Sequence, residues 1–198
     1  MIVLKLAERL PELRNVDYIG ADRGALVLAE KNQRMVFAIG DFDSITDPER
    51  KQIERYCDEV IALNPIKDNS DSEAAVDEAV RRGYQRIYIA GAIGGRLDHE
   101  IVNIRLCWKY PEKVVLLDEH NCCTVLKEGV HRIQRNGYQY ISLFAQKECE
   151  ISLFGFKYSL DHRVMNERSL YGLSNELKEE EGEIHVHRGS ILAVQTRD

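Results

Sequence analysis

Long apolar runs are missing from this chain of 198 residues. The longest stretch without Asp, Glu, Lys or Arg is Asn136–Gln146, well short of the ~20 apolar residues a membrane-spanning helix needs. The opening segment, Met1–Leu10, carries Lys5, Glu8 and Arg9, which interrupts the apolar stretch of a secretory signal. A basic surplus is missing as well. Lys and Arg number 27 against 33 Asp and Glu, for a formal net charge of −6 and a pI near 5.6. That balance argues against a general nucleic-acid binder, which needs cations to neutralise a phosphate backbone. An acidic protein can still hold a phosphate ligand, given a metal cation or a few placed arginines. The cysteines (Cys57, Cys107, Cys122, Cys123 and Cys149) are odd in number and show no C-x-x-C spacing, so they supply neither a disulfide framework nor a zinc motif. They predict reduced thiols in a cytoplasmic protein, with the adjacent Cys122 and Cys123 on opposite faces of a strand. Aromatics are few, 8%, and no internal repeat or low-complexity tract occurs. What is present, 44% hydrophobic and 30% charged residues, belongs to a soluble globular chain of one large or two small domains.

The first two-thirds alternates strand-like and helix-like segments. Val3–Leu6, Asp17–Gly20, Met35–Ile39, Glu59–Leu63, Arg86–Ala90 and Lys113–Leu117 read as strands. Thr46-Asp-Pro-Glu49 reads as a capping box with proline in the first turn, opening a helix to about Tyr56. Ser70-Asp-Ser-Glu73 is a second box, and Gly83 ends its helix. A third helix spans about Leu97–Lys109, with Ile101, Ile104, Leu106 and Cys107 as its apolar stripe and Trp108 as a packing residue. Such alternation predicts an α/β fold with an N-terminal, mostly parallel sheet flanked by helices. Past Glu119–Glu128 the pattern changes to short alternating runs at Thr124–Leu126, Tyr138–Phe144, Glu150–Phe154, Glu183–Arg188 and Ser190–Gln195, punctuated by glycines. These predict a smaller C-terminal antiparallel β domain, with domains over 1–123 and 124–198. The acidic run Lys178–Glu183 reads as a solvated hairpin loop. His185 and His187 share one face of a strand and, with no third ligand in view, read as exposed strand residues.

Each well-marked strand of the first domain runs into a loop that holds an aspartate. The loops are Gly20-Ala-Asp22-Arg23-Gly24, Gly40-Asp41-Phe-Asp43-Ser44, Lys67-Asp68-Asn-Ser-Asp71 and Gly91-Ala-Ile-Gly94-Gly95-Arg96-Leu-Asp98-His99. In an open parallel sheet such loops share the carboxyl edge of the strands, where ligands bind. Any one of these aspartates alone reads as a turn former or helix cap, and capping alone accounts for Asp47 and Ser70. Four loops at corresponding strand ends point further. Converging carboxylates repel unless protonated or neutralised by a cation. Hard oxygen ligands suit Mg²⁺, which bridges substrate phosphates. Arg96 adds a fork of donors for phosphate or carboxylate, and Gly94-Gly95 lets backbone approach a ligand. Together these features predict a metal-assisted, phosphate-handling enzyme with a Mg–nucleotide site.

At these residues the sequence resembles the bacterial thiamine pyrophosphokinase family. The ordered motifs are Gly20-Ala-Asp22-Arg23-Gly24, Gly40-Asp41-Phe42-Asp43-Ser44, Lys67-Asp68-Asn-Ser-Asp71-Ser-Glu73, Gly91-Ala-Ile-Gly94-Gly95-Arg96-Leu97-Asp98-His99 and Gly172-Leu-Ser174-Asn175-Glu176, followed by the closing Gly189-Ser-Ile-Leu. The resemblance implies transfer of a pyrophosphoryl group from ATP to the hydroxyl of thiamine, with AMP released. It also implies Mg²⁺, a homodimer, and no nucleic-acid or membrane partner. By position it makes Asp43 and Asp71, then Asp41, the Mg²⁺ ligands, with Asp22 and Asp68 completing an acidic cleft. Arg23, Gly94, Gly95, Arg96, Asp98 and His99 fall on the nucleotide side, and Ser174 and Asn175 on the thiamine pocket. Asp41, Asp43, Asp71 and Arg96 form the catalytic set; if a base is used, Asp71 or Asp43 orients the hydroxyl proton. Two departures stand out. Val3–Leu10 contains no glycine where the family has a glycine-rich turn, and Ser70 precedes Asp71 where threonine is usual. The alternatives are a pyrophosphokinase of the same architecture acting on another hydroxymethyl heterocycle, such as a pterin, or a non-catalytic nucleotide- or thiamine-diphosphate-binding protein.

Overall fold

A computed structural model describes residues 1–64 and 69–198 and resolves the strand–helix alternation of the first half as follows. The order is β1 (Ile2–Val3), β2 (Ile19–Ala21), α1 (Arg23–Glu30), β3 (Phe37–Gly40), α2 (Asp47–Tyr56), β4 (Val60–Ala62), α3 (Asp71–Arg81), β5 (Ile87–Ala90) and α4 (Leu97–Lys109). The strands lie in the order β5-β1-β2-β3-β4, every pairing parallel, with Ile2 beside both Ile19 and Ile89. β1, β2 and β3 are buried along their whole length, as befits parallel strands covered on both faces. Val3, Ala25, Leu28, Met35 and Ile53 belong to the core beneath them.

Both capping boxes act as caps. At Thr46 the Glu49 carboxylate accepts from the backbone N–H and the hydroxyl, each at 2.8 Å, and Pro48 sits in the first turn of α2. Ser70 Oγ accepts from Glu73 N at 3.2 Å at the start of α3. Three features depart from the sequence pattern. The first strand is Ile2–Val3, not Val3–Leu6, because the chain turns at Leu4, whose N–H reaches Ala90 O while its carbonyl accepts from Ala7. Helix α1 is not among the helices expected above, although Ala25, Leu28 and Ala29 stand at helical spacing and are buried; it starts directly after Asp22 and packs so closely on β1 that a Cβ at Gly24 would overlap the Val3 carbonyl. In α4, Ile101 is exposed, and the inward face carries Asn103, whose Nδ2 donates to Ala92 O at 2.9 Å, together with Leu106 and Cys107.

After β6 (Val114–Leu117) come β7 (Asn121–Gln134), β8 (Tyr140–Phe144), β9 (Cys149–Phe154), β10 (Leu160–Met165) and β11 (Glu181–Thr196). Their order is β10-β9-β11-β7, with β8 also on β11, and all these pairings are antiparallel. The chain thus has the mixed α/β architecture that the pattern predicts. By internal contacts it divides into two compact units, residues 1–106 with 116–119 and residues 107–115 with 120–198. Glu183–Arg188 and Ser190–Gln195 prove to be one strand interrupted by a register shift between Val186 and Ser190, with Gly189 at φ 82°. β9 takes the first half of this strand and β8 the second. Ile141, Ile151, Leu153, Phe156, Met165 and Ile184 lie in the second unit's core. On the opposite face His187 Nε2 lies 2.8 Å from Ser152 Oγ and His185 Nε2 lies 2.8 Å from Glu183. His162 of β10 stacks on His187 with ring centroids 4.1 Å apart. The five cysteines are present as thiols, with Cys123 buried and Cys122 half-buried.

Candidate active site

The parallel pairing brings the ends of β2, β3 and β5 and the start of α3 to one edge of the first unit's sheet. At the end of β2 the backbone turns sharply at Asp22, with φ 46°, its N–H donating to Ile39 O at 2.9 Å and its carbonyl accepting from Ala25 N at 3.0 Å. This fixes the Asp22 side chain toward the loop that follows β3. There Asp41 Oδ1 accepts from Asp43 N at 3.2 Å, an Asx-type turn that orients both carboxylates. Asp22, Asp41 and Asp43 each place one carboxylate oxygen within 4.8 Å of the others. Arg23 ties the same loop to α1, donating to Ser44 O at 2.8 Å and pairing with Glu49 at 3.5 Å.

The Asp22 carboxyl is perturbed by its surroundings. Burial, first of all, and then the charges of Asp71, Asp41 and Asp43 push its carboxyl above the usual range, against a hydrogen bond from the Arg23 backbone. Its Oδ1 is buried and has no hydrogen-bond partner among the described residues. A buried, orphaned carboxylate oxygen facing two further carboxylates is an expensive arrangement on its own and fits a hard divalent cation with oxygen ligands. Asp22 also lines a cleft of about 430 Å³, together with Asp71, Arg23, Arg96 and His99. The three-oxygen group brings Asp22 to Asp41 and Asp43; Asp71 lies on the cleft wall that Asp22 also lines, near enough for its charge to act on Asp22. Asp68 lies outside the described residues.

The remaining nucleotide-side residues belong to the loop between β5 and α4. Gly95 lines the cleft, and Gly94 has φ 99° with open space where a Cβ would stand. Arg96 donates to Asp98 at 3.1 and 2.6 Å, a pairing that holds the Asp98 carboxyl down to about 2. His99 N donates to Asp98 Oδ1 at 3.0 Å. Sequence reasoning missed Leu4, Lys5 and Leu6, which line the same cleft; the segment reaches it without the absent glycine turn, and nothing in its composition signals the role. It also missed Glu100, whose carboxylate takes the N–H groups of Gly94 and Gly95.

Ser174 and Asn175 lie in the second unit, on a segment that runs beside β8. Asn175 pairs with Ile141 through an isolated antiparallel bridge. Its Oδ1 accepts from Tyr158 N at 3.0 Å and Glu176 N at 2.9 Å, and its Nδ2 donates to Tyr158 O at 2.8 Å. Ser174 is exposed, at φ 54°, with its N–H on Ser142 Oγ at 3.0 Å.

A carboxylate cluster and a cleft at the carboxyl edge of an open parallel sheet are how α/β folds place ligand sites. The comparisons narrow this class to one family. Residues 13–116 match the family model "Thiamin pyrophosphokinase, catalytic domain" and residues 130–191 match "Thiamin pyrophosphokinase, vitamin B1 binding domain". The thiamine pyrophosphokinase of Bacillus subtilis is 33% identical over 187 residues, covering 91% of this chain and 87% of that protein. A thiamin pyrophosphokinase family protein from Enterococcus faecalis superposes with a TM-score of 0.91 at 27% identity, over 100% of this chain and 98% of the other. The enzyme from Geobacillus thermodenitrificans gives 0.86 at 30% identity over the same shares. The chain belongs to the thiamine pyrophosphokinase family.

Proposed function

We propose that the chain transfers the pyrophosphoryl group of ATP to the hydroxyl of thiamine, with Mg²⁺ as cofactor, giving thiamine diphosphate and AMP. As a member of its family it is a thiamine diphosphokinase. The observation that carries the detailed reading is the group of three carboxylate oxygens within 4.8 Å at the sheet edge, beside a cleft that also takes in Asp71, Arg96 and the Gly95 backbone. In this reading Asp22, Asp41 and Asp43 hold the cation, with Asp71 next to them on the cleft wall. Mg²⁺, when bound, neutralises charge on the polyphosphate and on the leaving AMP. Arg96 and Arg23 supply further positive charge along the cleft, and the Gly94-Gly95 turn, with Asp98 and His99, supports the nucleotide. The thiamine hydroxyl attacks the middle phosphorus, forming an oxygen–phosphorus bond as the bond to the AMP oxygen breaks. Positioning and charge neutralisation dominate such a transfer, so a base is secondary; if one is used, Asp71 or Asp43 orients the hydroxyl proton. The excess of carboxylates also favours the thiazolium cation of thiamine.

Residues 1–123 serve the nucleotide and metal in this reading, and residues 124–198 serve thiamine and dimerisation, with Ser174 and Asn175 in the thiamine pocket. An exposed apolar run supports pairing with a second copy: Leu170 is 88% and Leu173 64% exposed on either side of Tyr171, and clustered exposed apolar side chains mark interaction surfaces. Reduced cysteine thiols suit a cytoplasmic setting, and no helix among the described residues is long and apolar enough to cross a membrane.

AMP release from ATP and Mg²⁺, measured by chromatography with and without thiamine, tests the reading. AMP and thiamine diphosphate formed only when thiamine is present support it. AMP formed with a pterin alcohol but not with thiamine moves the assignment to the other heterocycle. ATP binding with no turnover on any hydroxymethyl heterocycle leaves a binding protein.

A further inference from the structure

The Gly94-Gly95 turn offers two consecutive N–H groups, and both aim at one oxygen. Glu100 Oε1 accepts from Gly94 N at 2.9 Å and from Gly95 N at 2.7 Å. Successive backbone N–H groups that converge ahead of a helix form a nest suited to an anion. Here the anion is the protein's own carboxylate. A capping box does not account for the contact, since a capping acid returns to the N–H of the cap residue itself. Helix α4 closes its first turn with Glu100 N on Arg96 O, and the Glu100 side chain reaches past Arg96 to donors outside the helix. The glycine at 94 is set by its φ of 99° and not by packing, because nothing lies within 4 Å of where a Cβ would stand. Beside the nest the Arg96 guanidinium is turned onto Asp98. Both sets of anion donors in this loop therefore face internal carboxylates, while Gly95, Arg96 and Glu100 line the cleft that holds Asp22 and Asp71.

We propose that Glu100 is a positioning residue that competes with the substrate polyphosphate for the Gly94 and Gly95 N–H groups, so that it sets the affinity for the nucleotide. The inference rests on the nucleotide reading of this cleft. Seating a phosphoryl oxygen in the nest requires the Glu100 side chain to turn out, and its negative charge opposes the incoming polyphosphate until it does. Glutamine at this position keeps the length and one acceptor oxygen but loses the charge. A hydrogen bond to an ionised acceptor is about twice as strong as a neutral one, so the amide yields the nest more readily.

The test is calorimetric titration of the wild-type chain, Glu100→Gln and Glu100→Asp with inorganic tripolyphosphate and with ATP, both in the presence of Mg²⁺, followed by steady-state kinetics. Glu100→Gln is expected to bind both ligands about tenfold more tightly, equivalent to about 1.4 kcal/mol, with a fall in KM for ATP larger than any change in kcat. Glu100→Asp keeps the charge but is too short to span the nest, and is expected to fall between the two. If Glu100 merely staples the loop, Glu100→Gln binds equally or more weakly than wild type, which overturns the proposal while the nucleotide reading stands. If the wild-type chain binds neither ligand, both fail together.

Discussion

Replacing Asp22 with asparagine separates the cost of the acidic cluster from its use. The three carboxylate oxygens lie within 4.8 Å of one another. Two unit charges at that distance repel by about 0.9 kcal/mol in bulk water and by about 3.5 kcal/mol at an effective dielectric of 20. Physiological salt roughly halves the lower figure. Asp22 faces two such neighbours, so neutralising it without a divalent cation relieves at least about 1 kcal/mol. For a chain of this size that raises Tm by about 2–4 °C. Asparagine has the shape of aspartate and meets the same backbone strain at φ 46°, ψ −124°, and it keeps an oxygen at Oδ1, so no new backbone penalty offsets the gain. Mg²⁺ reverses the order. At a free concentration ten times its Kd a ligand adds about 1.4 kcal/mol, which the wild-type chain gains and Asp22→Asn largely forgoes. The assay is thermal unfolding of both proteins in EDTA and in Mg²⁺. The sign with pH follows from the raised Asp22 pKa: the folded chain holds this proton more tightly than the unfolded one. The destabilisation is full above the folded pKa and vanishes below the unfolded value of 3.8, so the gap between variant and wild type in EDTA closes as pH falls. A variant that melts lower in EDTA, or that gains as much from Mg²⁺ as wild type, refutes the reasoning.

Two further outcomes follow from the contacts around Glu78 and Asn175. Glu78 bonds Arg81 at 2.7 and 2.6 Å and Arg82 at 2.6 Å, and the hydrogen bond from Arg81, then that from Arg82, hold its carboxyl down to about 2 from 4.5. Because the folded value is depressed, its contribution is present above pH 4.5 and is lost as pH falls toward 2. Glu78→Gln is expected to flatten that acid limb by less than about 1 kcal/mol, as suits a screened surface network; urea unfolding at neutral pH and near pH 3 checks it, and an equal acid loss in both proteins counts against it. Asn175→Ala removes an acceptor from Tyr158 N and Glu176 N and a donor to Tyr158 O. A stability loss of about 2–3 kcal/mol in urea is expected. Unchanged stability with a raised KM for thiamine would instead make the side chain a direct ligand contact.

The fold was legible wherever local chemistry and tertiary packing agree. Thr46 with Glu49 and Ser70 with Glu73 close their caps as the spacing requires, and the apolar runs of β3 and β5 form strands, β3 buried throughout and β5 at all but Tyr88. It was illegible where one tertiary contact overrides a local signal. Leu4 reads as strand interior, and its N–H still bonds Ala90 O of β5, but its carbonyl accepts from Ala7 N and the chain bends. Ile101 falls on the apolar stripe of α4 by period, but the inward turn is taken by Asn103, whose amide satisfies the Ala92 carbonyl. Gly189 reads as a break between strands, while β11 absorbs it as a register shift with β9 and β8 on either side.

The candidate site was legible as a set of strand ends and not as a geometry. Parallel pairing guarantees that Asp22, Asp41 and Asp43 face the same edge, since β2 and β3 are neighbours in register, Ala21 beside Ile39. It does not say which carboxylates come within reach of one cation. Asp71 is delivered from the start of α3, one connection further on, and ends on the cleft wall that Asp22 also lines. Glu100 follows His99 directly and, on sequence, is one more acid in the first turn of a helix. Only the folded loop shows that its carboxylate lies on the two N–H groups of the glycine pair, because that depends on the left-handed turn at Gly94 and not on spacing. Sequence thus names the groups that carry the charge, and the backbone between them decides which charges meet.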